Sequence, residues 1–339
     1  SDLEQPFSNI VRDTMKKALI ATTALVAAGF ATSATAAEWS TSVTGYYFLG
    51  LGASDNSNAD GVGVLRDGEA HVRAKLVADN GITFQARIEL EAFTSGDQID
   101  ENYGTISGSF GTIMIGGNDS AAYNNHVGTI YAPGARIGYY DSFRLFGGAG
   151  TNGTFSDPGV ASDDVAIHYT SPSLSGFKLY GSYHPDGGSD GAADSNNPVF
   201  ENGDYWTGGA SYSGNFGDFG FGLSAGYTNG FGANDTDTVN VGVNLSASGF
   251  QVAGTYNNDD PQGADNSVET FALGAQYSTG PWTVGGGYRD HEDVGEQGAA
   301  WVTYGLAPGV LFTAGVEYSD ADAVAGSDFG GLAYLTMRF

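Results

Sequence analysis

Residues 69–93 alternate apolar and polar side chains in two segments that are separated by an Asp-Asn-Gly sequence at 79–81. Even positions hold apolar residues such as Val72, and odd positions hold charged residues such as Arg73 and Arg87. A period of two on both sides of an Asn-Gly turn predicts a β-hairpin with one apolar face and one charged face. The surroundings that bury the apolar face therefore decide the fold.

The composition argues against a soluble β-sandwich, whose two inner faces supply large aliphatic side chains. Mean hydropathy is only -0.17, 54 of the 339 residues are glycine, and 13% are aromatic. The chain has no cysteine, so no disulfide holds an exported form together. The net charge of -27 disfavours nucleic acid and anionic surfaces as partners.

An export signal is predicted near the start of the chain. A Met-Lys-Lys sequence at 15–17 precedes an apolar stretch at 18–31 and a small-x-small site at 34–36. These features predict a cleaved signal peptide at 15–36, preceded by an unstructured upstream extension at 1–14. The alternative, a helical membrane anchor, needs about 20 apolar residues, and this stretch is shorter.

The remaining residues, 37–339, alternate in the same way as the hairpin, with turn residues between the segments. The candidate strands are 39–51, 68–79, 82–93, 101–110, 112–117, 165–170, 177–184, 204–215, 218–228, 236–247, 250–257, 267–278, 281–290, 297–306, 309–318 and 329–339. Short turns and longer acidic connections alternate between them. This pattern predicts an all-β fold, a transmembrane antiparallel 16-stranded outer-membrane β-barrel, in which lipid buries the apolar face and the charged face lines water.

Aromatic residues support the same placement. One set follows the short turns, and a second set recurs six to eight residues later on the same faces. The two sets are Phe177, Phe219, Phe250, Trp282 and Phe312, and Tyr183, Tyr227, Tyr256, Tyr288 and Tyr318. Two such rings are typical of the aromatic girdles at the membrane interfaces.

Four features resemble the bacterial general porins, most closely the trimeric porins of alphaproteobacteria. The chain ends in Phe339, residues 108–111 read Gly-Ser-Phe-Gly, residues 169–172 read Tyr-Thr-Ser-Pro, and a 47-residue third loop occupies 118–164. The resemblance covers nearly all of 37–339. It implies a homotrimeric diffusion pore of the bacterial outer membrane, with the third loop folded into the lumen.

The same resemblance implies contact with outer-membrane lipid and lipopolysaccharide, and assembly by the barrel assembly machinery with Phe339 as the signal. Strands 101–110 and 112–117 are short and are expected to lack a strong lipid-facing stripe. Their glycines Gly104, Gly108, Gly111 and Gly116 are expected to allow close approach of another subunit. These strands therefore predict the trimer contact.

The charged hairpin face and the third loop provide the candidate pore constriction. A basic wall is expected to face acidic loop residues and to set up a transverse field. The candidates are Arg73, Lys75 and Arg87 on the wall, and Asp119, Asp141, Asp157, Asp163 and Asp164 with Arg136 and Arg144 in the loop. Two alternatives stay open: solvated wall charges with no special role, and loop arginines that only tie the loop to the wall.

The charge balance predicts a weak cation preference. Residues 1–36 hold three basic and three acidic residues, so 37–339 keep 9 Lys and Arg against 36 Asp and Glu. No cofactor is predicted. The acidic loop runs allow Ca²⁺ binding, but none has EF-hand spacing, and a solvated surface explains them as well.

Other functions are weighed on the same residues. The five histidines are scattered, and no G-x-S-x-G or H-E-x-x-H motif occurs, so the chain is not expected to be an enzyme. An adhesive barrel would need its wide lumen plugged by the third loop. A substrate-selective channel stays open as an alternative, although Phe48, Tyr180 and Tyr334 are too few to form an aromatic ladder along the inner wall.

Overall fold

The computed structural model describes residues 38–55, 61–93, 98–128, 130, 132, 163–185, 204–231, 236–261, 267–292, 294–321 and 327–339. The predicted extension at 1–14 and the signal peptide at 15–36 lie outside these residues. In the part of the chain that the structure describes, no helix is long and apolar enough to cross a membrane.

Sixteen strands form the described fold. They are β1 Ser40–Ser54, β2 Gly61–Val77, β3 Thr83–Glu91, β4 Ile99–Gly108, β5 Gly111–Gly117, β6 Val165–Thr170, β7 Phe177–His184, β8 Tyr205–Phe216, β9 Phe219–Phe231, β10 Thr236–Ala247, β11 Phe250–Asp260, β12 Val268–Thr279, β13 Trp282–His291, β14 Gly295–Ala307, β15 Val310–Ala321 and β16 Ser327–Arg338. Each strand pairs antiparallel with its chain neighbours, and β1 pairs with β16 to close a barrel. The predicted 16-stranded barrel is confirmed.

Closure extends to the last residue of the chain. Tyr46 of β1 lies opposite Arg338 of β16. The backbone N–H of Gly45 donates to the carbonyl oxygen of Phe339 at 2.9 Å, and the N–H of Phe339 donates to the carbonyl oxygen of Gly45 at 3.1 Å. Because the sheet has no free edge, every strand finds backbone partners on both sides, as hydrocarbon surroundings require.

The short turns lie where the sequence predicted them, at one end of the barrel. In two of them, Gly249 and Gly309 take φ values of 86° and 77°, which favour glycine. Several connections at the other end are shorter than expected. The candidate strands 39–51 and 68–79 leave a predicted connection at 52–67. This prediction is wrong in its second half, because β2 already begins at Gly61, opposite Ser54. Pairing with β1 outweighs the low strand propensity of a segment rich in glycine.

The outer face carries the apolar side chains. Val239, Val241 and Leu245 of β10 are 44 to 48% exposed, and Phe219 and Phe250, next to short turns, are 66% and 60% exposed. On the opposite side of the membrane band, the tyrosines bond acidic groups. Tyr183, Tyr227, Tyr288 and Tyr318 donate their hydroxyl protons to Asp204, Asp237, Glu296 and Asp320. An apolar band between two aromatic rings is the outer surface that a bilayer requires.

The strands from β5 to β7 are the shortest described, with 7, 6 and 8 residues. The outward face of β4 carries Gly104 and Ile106, and that of β5 carries Ile113 and Ile115, so the predicted lack of a strong lipid-facing stripe holds for β4 and not for β5. Ile106, Ile113 and Tyr169 form one outward row across β4, β5 and β6. Among the four glycines of that prediction, Gly116 is not on the outer surface, because a β-carbon built there would meet Tyr103 on the inner side.

Candidate functional site

The described start of the third loop, from residue 118, leaves β5 and runs inside the barrel. It begins with the one-turn helix α1, Ala121–Asn125, whose first turn is capped by the Ser120 hydroxyl. Its backbone then bonds side chains of the inner wall. The N–H of Ala121 donates to Ser182 Oγ at 3.0 Å, and the N–H of Ala122 donates to Thr207 Oγ1 at 3.2 Å. The start of the loop is therefore fixed to β7 and β8.

Beyond the helix, glycines on the inner wall provide the space that the loop occupies. The N–H of Val127 donates to Ser224 Oγ on β9 at 2.8 Å. A β-carbon built on Gly242 of β10 would overlap the carbonyl oxygen of Val127, and one on Gly274 of β12 would lie 2.9 Å from Ile130 Cβ. Backbone and loop therefore approach more closely than any side chain on these strands would allow. We call Gly242 and Gly274 the glycine seat.

The loop then packs against an apolar cluster on the inner wall. Ile130 and Ala132 are buried, 4% and 0% exposed, together with Phe48, Trp301 and Tyr334. The rings of Phe48 and Tyr334 lie 4.6 Å apart. Because these aromatic side chains are covered, they do not line the open lumen. Burial of this apolar area stabilises the loop inside the barrel.

The predicted basic residues lie on the inner face of the hairpin. Arg73 of β2 lies directly opposite Arg87 of β3, and Lys75 lies opposite Gln85. Lys75 is exposed and sits two residues from the end of β2, towards the short turns. Among the described residues, Nε of Arg73 has no hydrogen-bond partner.

Acidic residues share this wall. Arg87 forms an ion pair with Glu89, and Nη2 of Arg87 donates to His71 Nδ1 at 3.0 Å. Because His71 Nδ1 accepts, its Nε2 carries the proton and donates to Glu69 at 2.8 Å. The predicted purely basic wall is thus a mixed wall. The alternation pattern already placed Glu89 on the same face as Arg87, although the predicted wall residues included only cations.

Two groups of carboxylates lie beside this wall. In one, ligand atoms of Glu101, Asp119 and Asp163 lie within 4.8 Å of one another, and in the other so do those of Glu69, Glu91 and Asp100. Glu101 also lies beside Glu89. Asp119 and Asp163 were expected to face the basic residues from across the lumen. The structure places them instead at the two ends of the third loop, next to the wall strands.

The remaining predicted site residues separate into two groups. Asp164 is 2% exposed and accepts a hydrogen bond from the hydroxyl of Tyr205 at 2.9 Å, so its carboxylate does not face the lumen. The predicted constriction residues Arg136, Arg144, Asp141 and Asp157 lie outside the described residues.

A closed antiparallel barrel with an apolar exterior, a polar interior and an inserted loop defines an outer-membrane channel. A sequence profile of Gram-negative porins matches residues 21–324, and the chain belongs to that family. The protein is therefore a diffusion channel of the bacterial outer membrane. Comparison with curated proteins finds no significant match.

Solved porins share the fold at low sequence identity. An anion-selective porin from Comamonas acidovorans has a TM-score of 0.62 and 14% identity, over 89% of this chain and 100% of that chain. A porin variant from Rh. blastica has a TM-score of 0.61 and 18% identity, over 88% and 100%. The trimer form of the outer membrane protein OmpT from Vibrio cholerae has a TM-score of 0.62 and 13% identity, over 89% and 99%.

Proposed function

We propose that this porin is a general diffusion pore for ions and small hydrophilic solutes, with a weak preference for cations. The observation that carries the sign of the preference is the excess of carboxylates around the constriction wall. Seven acidic residues lie on or beside the strands that carry three basic ones: Glu69, Glu89, Glu91, Asp100, Glu101, Asp119 and Asp163 against Arg73, Lys75 and Arg87.

Screening limits how strong this preference is. The Debye length is about 10 Å at 0.1 M salt, comparable to the radius of a porin lumen, so mobile ions weaken the field of the wall. The fold itself does not set the sign, because a similar fold occurs in the anion-selective Comamonas porin. Selectivity is therefore expected to depend on the side chains of this chain and to fade towards 1 M salt.

The proposal is tested by single-channel recording in a planar bilayer with a KCl gradient. A reversal potential of the cation-selective sign at low salt supports it. A clear anion preference would overturn the assigned sign and leave the channel intact. Absence of ion conductance would instead favour a barrel plugged by the third loop.

Replacing both wall arginines, Arg73→Ser with Arg87→Ser, is expected to strengthen the cation preference. Two positive charges close to the ion path are removed, which shifts the permeability ratio by about two- to fivefold at low salt. The measurement is the reversal potential. Arg66→Ser, which removes a cation stacked on Phe93 outside the wall, is the control. An unchanged ratio in the double variant would contradict the electrostatic argument.

The assembly is proposed to be a homotrimer that associates through the short strands β4 and β5. Their outward isoleucines offer an apolar contact, and OmpT, which has a similar fold, occurs in a trimer form. Native mass measured in mild detergent is expected to correspond to three chains. A monomer that conducts normally would exclude the trimer and leave the pore assignment standing.

Recognition of Phe339 by the assembly machinery, lipopolysaccharide contact, the lack of catalysis and of a cofactor, and Ca²⁺ in the acidic loops all stay predictions.

A further inference from the structure

Two histidines lie together on the inner wall behind the third loop, and the pore function uses neither. His168 of β6 and His184 of β7 are 3% and 0% exposed. His168 lies opposite Ser182, two residues before His184, so both side chains are on the same face. Their ring centroids are 5.5 Å apart.

Three of the four ring nitrogens lack a hydrogen-bond partner among the described residues. These are Nδ1 and Nε2 of His168 and Nδ1 of His184, and all three are buried. Buried polar atoms in proteins are almost always paired, because an unpaired one loses its water without replacement. Three such atoms on adjacent rings leave nitrogen donors available to one shared ligand.

The fourth nitrogen is held in the way that metal-binding histidines usually are. His184 Nε2 is 2.9 Å from Ser182 Oγ, which also accepts from the N–H of Ala121 and lies 3.0 Å from Thr207 Oγ1. All these bonds are satisfied when His184 Nε2–H donates to Ser182 and Ser182 donates to Thr207. His184 Nδ1 then keeps a free lone pair, with its ring oriented by a neighbouring acceptor.

The spacing of the rings suits one shared ion. Imidazole nitrogens lie about 2.0–2.1 Å from zinc, so two rings on one tetrahedral ion have centres on the order of 5 Å apart. The observed 5.5 Å is compatible with this arrangement. The ring of Tyr205 stacks on His184 with centroids 4.1 Å apart, and the Tyr205 hydroxyl bonds the buried Asp164 on the same part of the wall.

We propose that His168 and His184 bind one divalent transition-metal ion of the zinc type. Imidazole nitrogens favour Zn²⁺, Cu²⁺ and Ni²⁺, whereas Ca²⁺ and Mg²⁺ prefer oxygen ligands. The bound ion fixes the His184 ring, and through Ser182 it secures the start of helix α1. The site therefore couples metal occupancy to the anchoring of the third loop.

The other histidine with nearby carboxylates is less suited to a metal. Glu69, His71 and Glu89 bring their ligand atoms within 4.8 Å of one another. However, Arg87 donates to His71 Nδ1 at 3.0 Å, so His71 Nε2 holds the proton that a metal would have to displace. A guanidinium in contact with the ring also disfavours a nearby cation.

The test is Zn²⁺ binding to purified porin that has been treated with chelator and refolded in detergent with or without ZnCl₂. Calorimetry is expected to give one ion per chain, and Co²⁺ substitution is expected to give a visible spectrum with nitrogen ligation. His168→Gln and His184→Gln are each expected to weaken Zn²⁺ binding by about tenfold or more, since even indirect ligand contacts account for 10–100-fold.

His291→Gln is the matched control, because His291 lies on β13, away from this pair. It is expected to leave Zn²⁺ affinity unchanged. The proposal is overturned if the His168→Gln, His184→Gln double variant binds Zn²⁺ as tightly as the parent protein does. It is also overturned if the parent protein shows no saturable Zn²⁺ binding. Competition by Ca²⁺ at equal concentration would also overturn it, by assigning the ion to carboxylates. Heat-resistant migration in detergent gels shows that each variant is folded.

Discussion

Gly242→Val is expected to displace the third loop and to raise the single-channel conductance. A β-carbon on Gly242 would overlap the carbonyl oxygen of Val127, so the loop has to leave the glycine seat. Overpacking of this kind costs about 1–3 kcal/mol. That cost raises the population of displaced loop conformations by about 5- to 150-fold, since 1.4 kcal/mol corresponds to tenfold. The measurement is single-channel conductance in 1 M KCl, where wall charges are screened.

Gly298→Val is the matched control for this substitution. Gly298 lies on β14, and a β-carbon built there would come no closer than 3.9 Å to the rest of the protein. The same side chain is therefore added to a strand without touching the loop. If both variants conduct like the parent, the loop does not set the width of the channel.

Neutralising one acidic cluster, with Glu101→Gln, Asp119→Asn and Asp163→Asn together, is expected to abolish or reverse the cation preference. The three carboxylates lie close together at the ends of the third loop. One carboxylate charge contributes about 0.8 kcal/mol to a cation roughly 5 Å away in water, and screening at ~0.1 M salt reduces the sum over the cluster by about half. The permeability ratio is therefore expected to fall by about tenfold at most, as read from reversal potentials.

The control for the acidic cluster removes the same number of charges elsewhere. The control combines Asp79→Asn, Asp218→Asn and Glu292→Gln. Asp79 and Asp218 lie at short turns, Glu292 lies at the opposite rim of the barrel, and all three side chains are exposed. These changes are expected to alter selectivity much less, because water surrounds them. Equal shifts in the two triple variants would mean that total charge, and not the constriction, sets ion preference.

These charges also explain why selectivity is not a property of the fold. The described wall holds cations and carboxylates in direct contact, as in the pair of Arg87 and Glu89. Small changes in side chain therefore alter the balance without altering the barrel. The anion-selective porin from Comamonas acidovorans, which has a similar barrel, is consistent with this view.

The barrel was predictable from the sequence because its determinants are local. Strand direction, strand number and the side of each residue follow from a period of two and from turn residues such as Gly249 and Gly309. Lipid as the partner of the apolar face followed from the small, polar residues opposite it. Errors in strand ends arose where pairing extended a segment of weak propensity, as at Gly61.

The packing of the third loop was decided by tertiary structure, because its contacts join residues far apart in the chain. Val127 lies against Gly242, and Ile130 lies among Phe48, Trp301 and Tyr334. A pattern within one segment of the sequence cannot predict contacts between such distant residues. Residue type alone also could not separate the buried Asp164 from Asp119, which lies in the acidic cluster, or reveal that Arg87 is neutralised by Glu89. Pairing register and loop packing set which charges meet, and electrostatic energy depends on those separations.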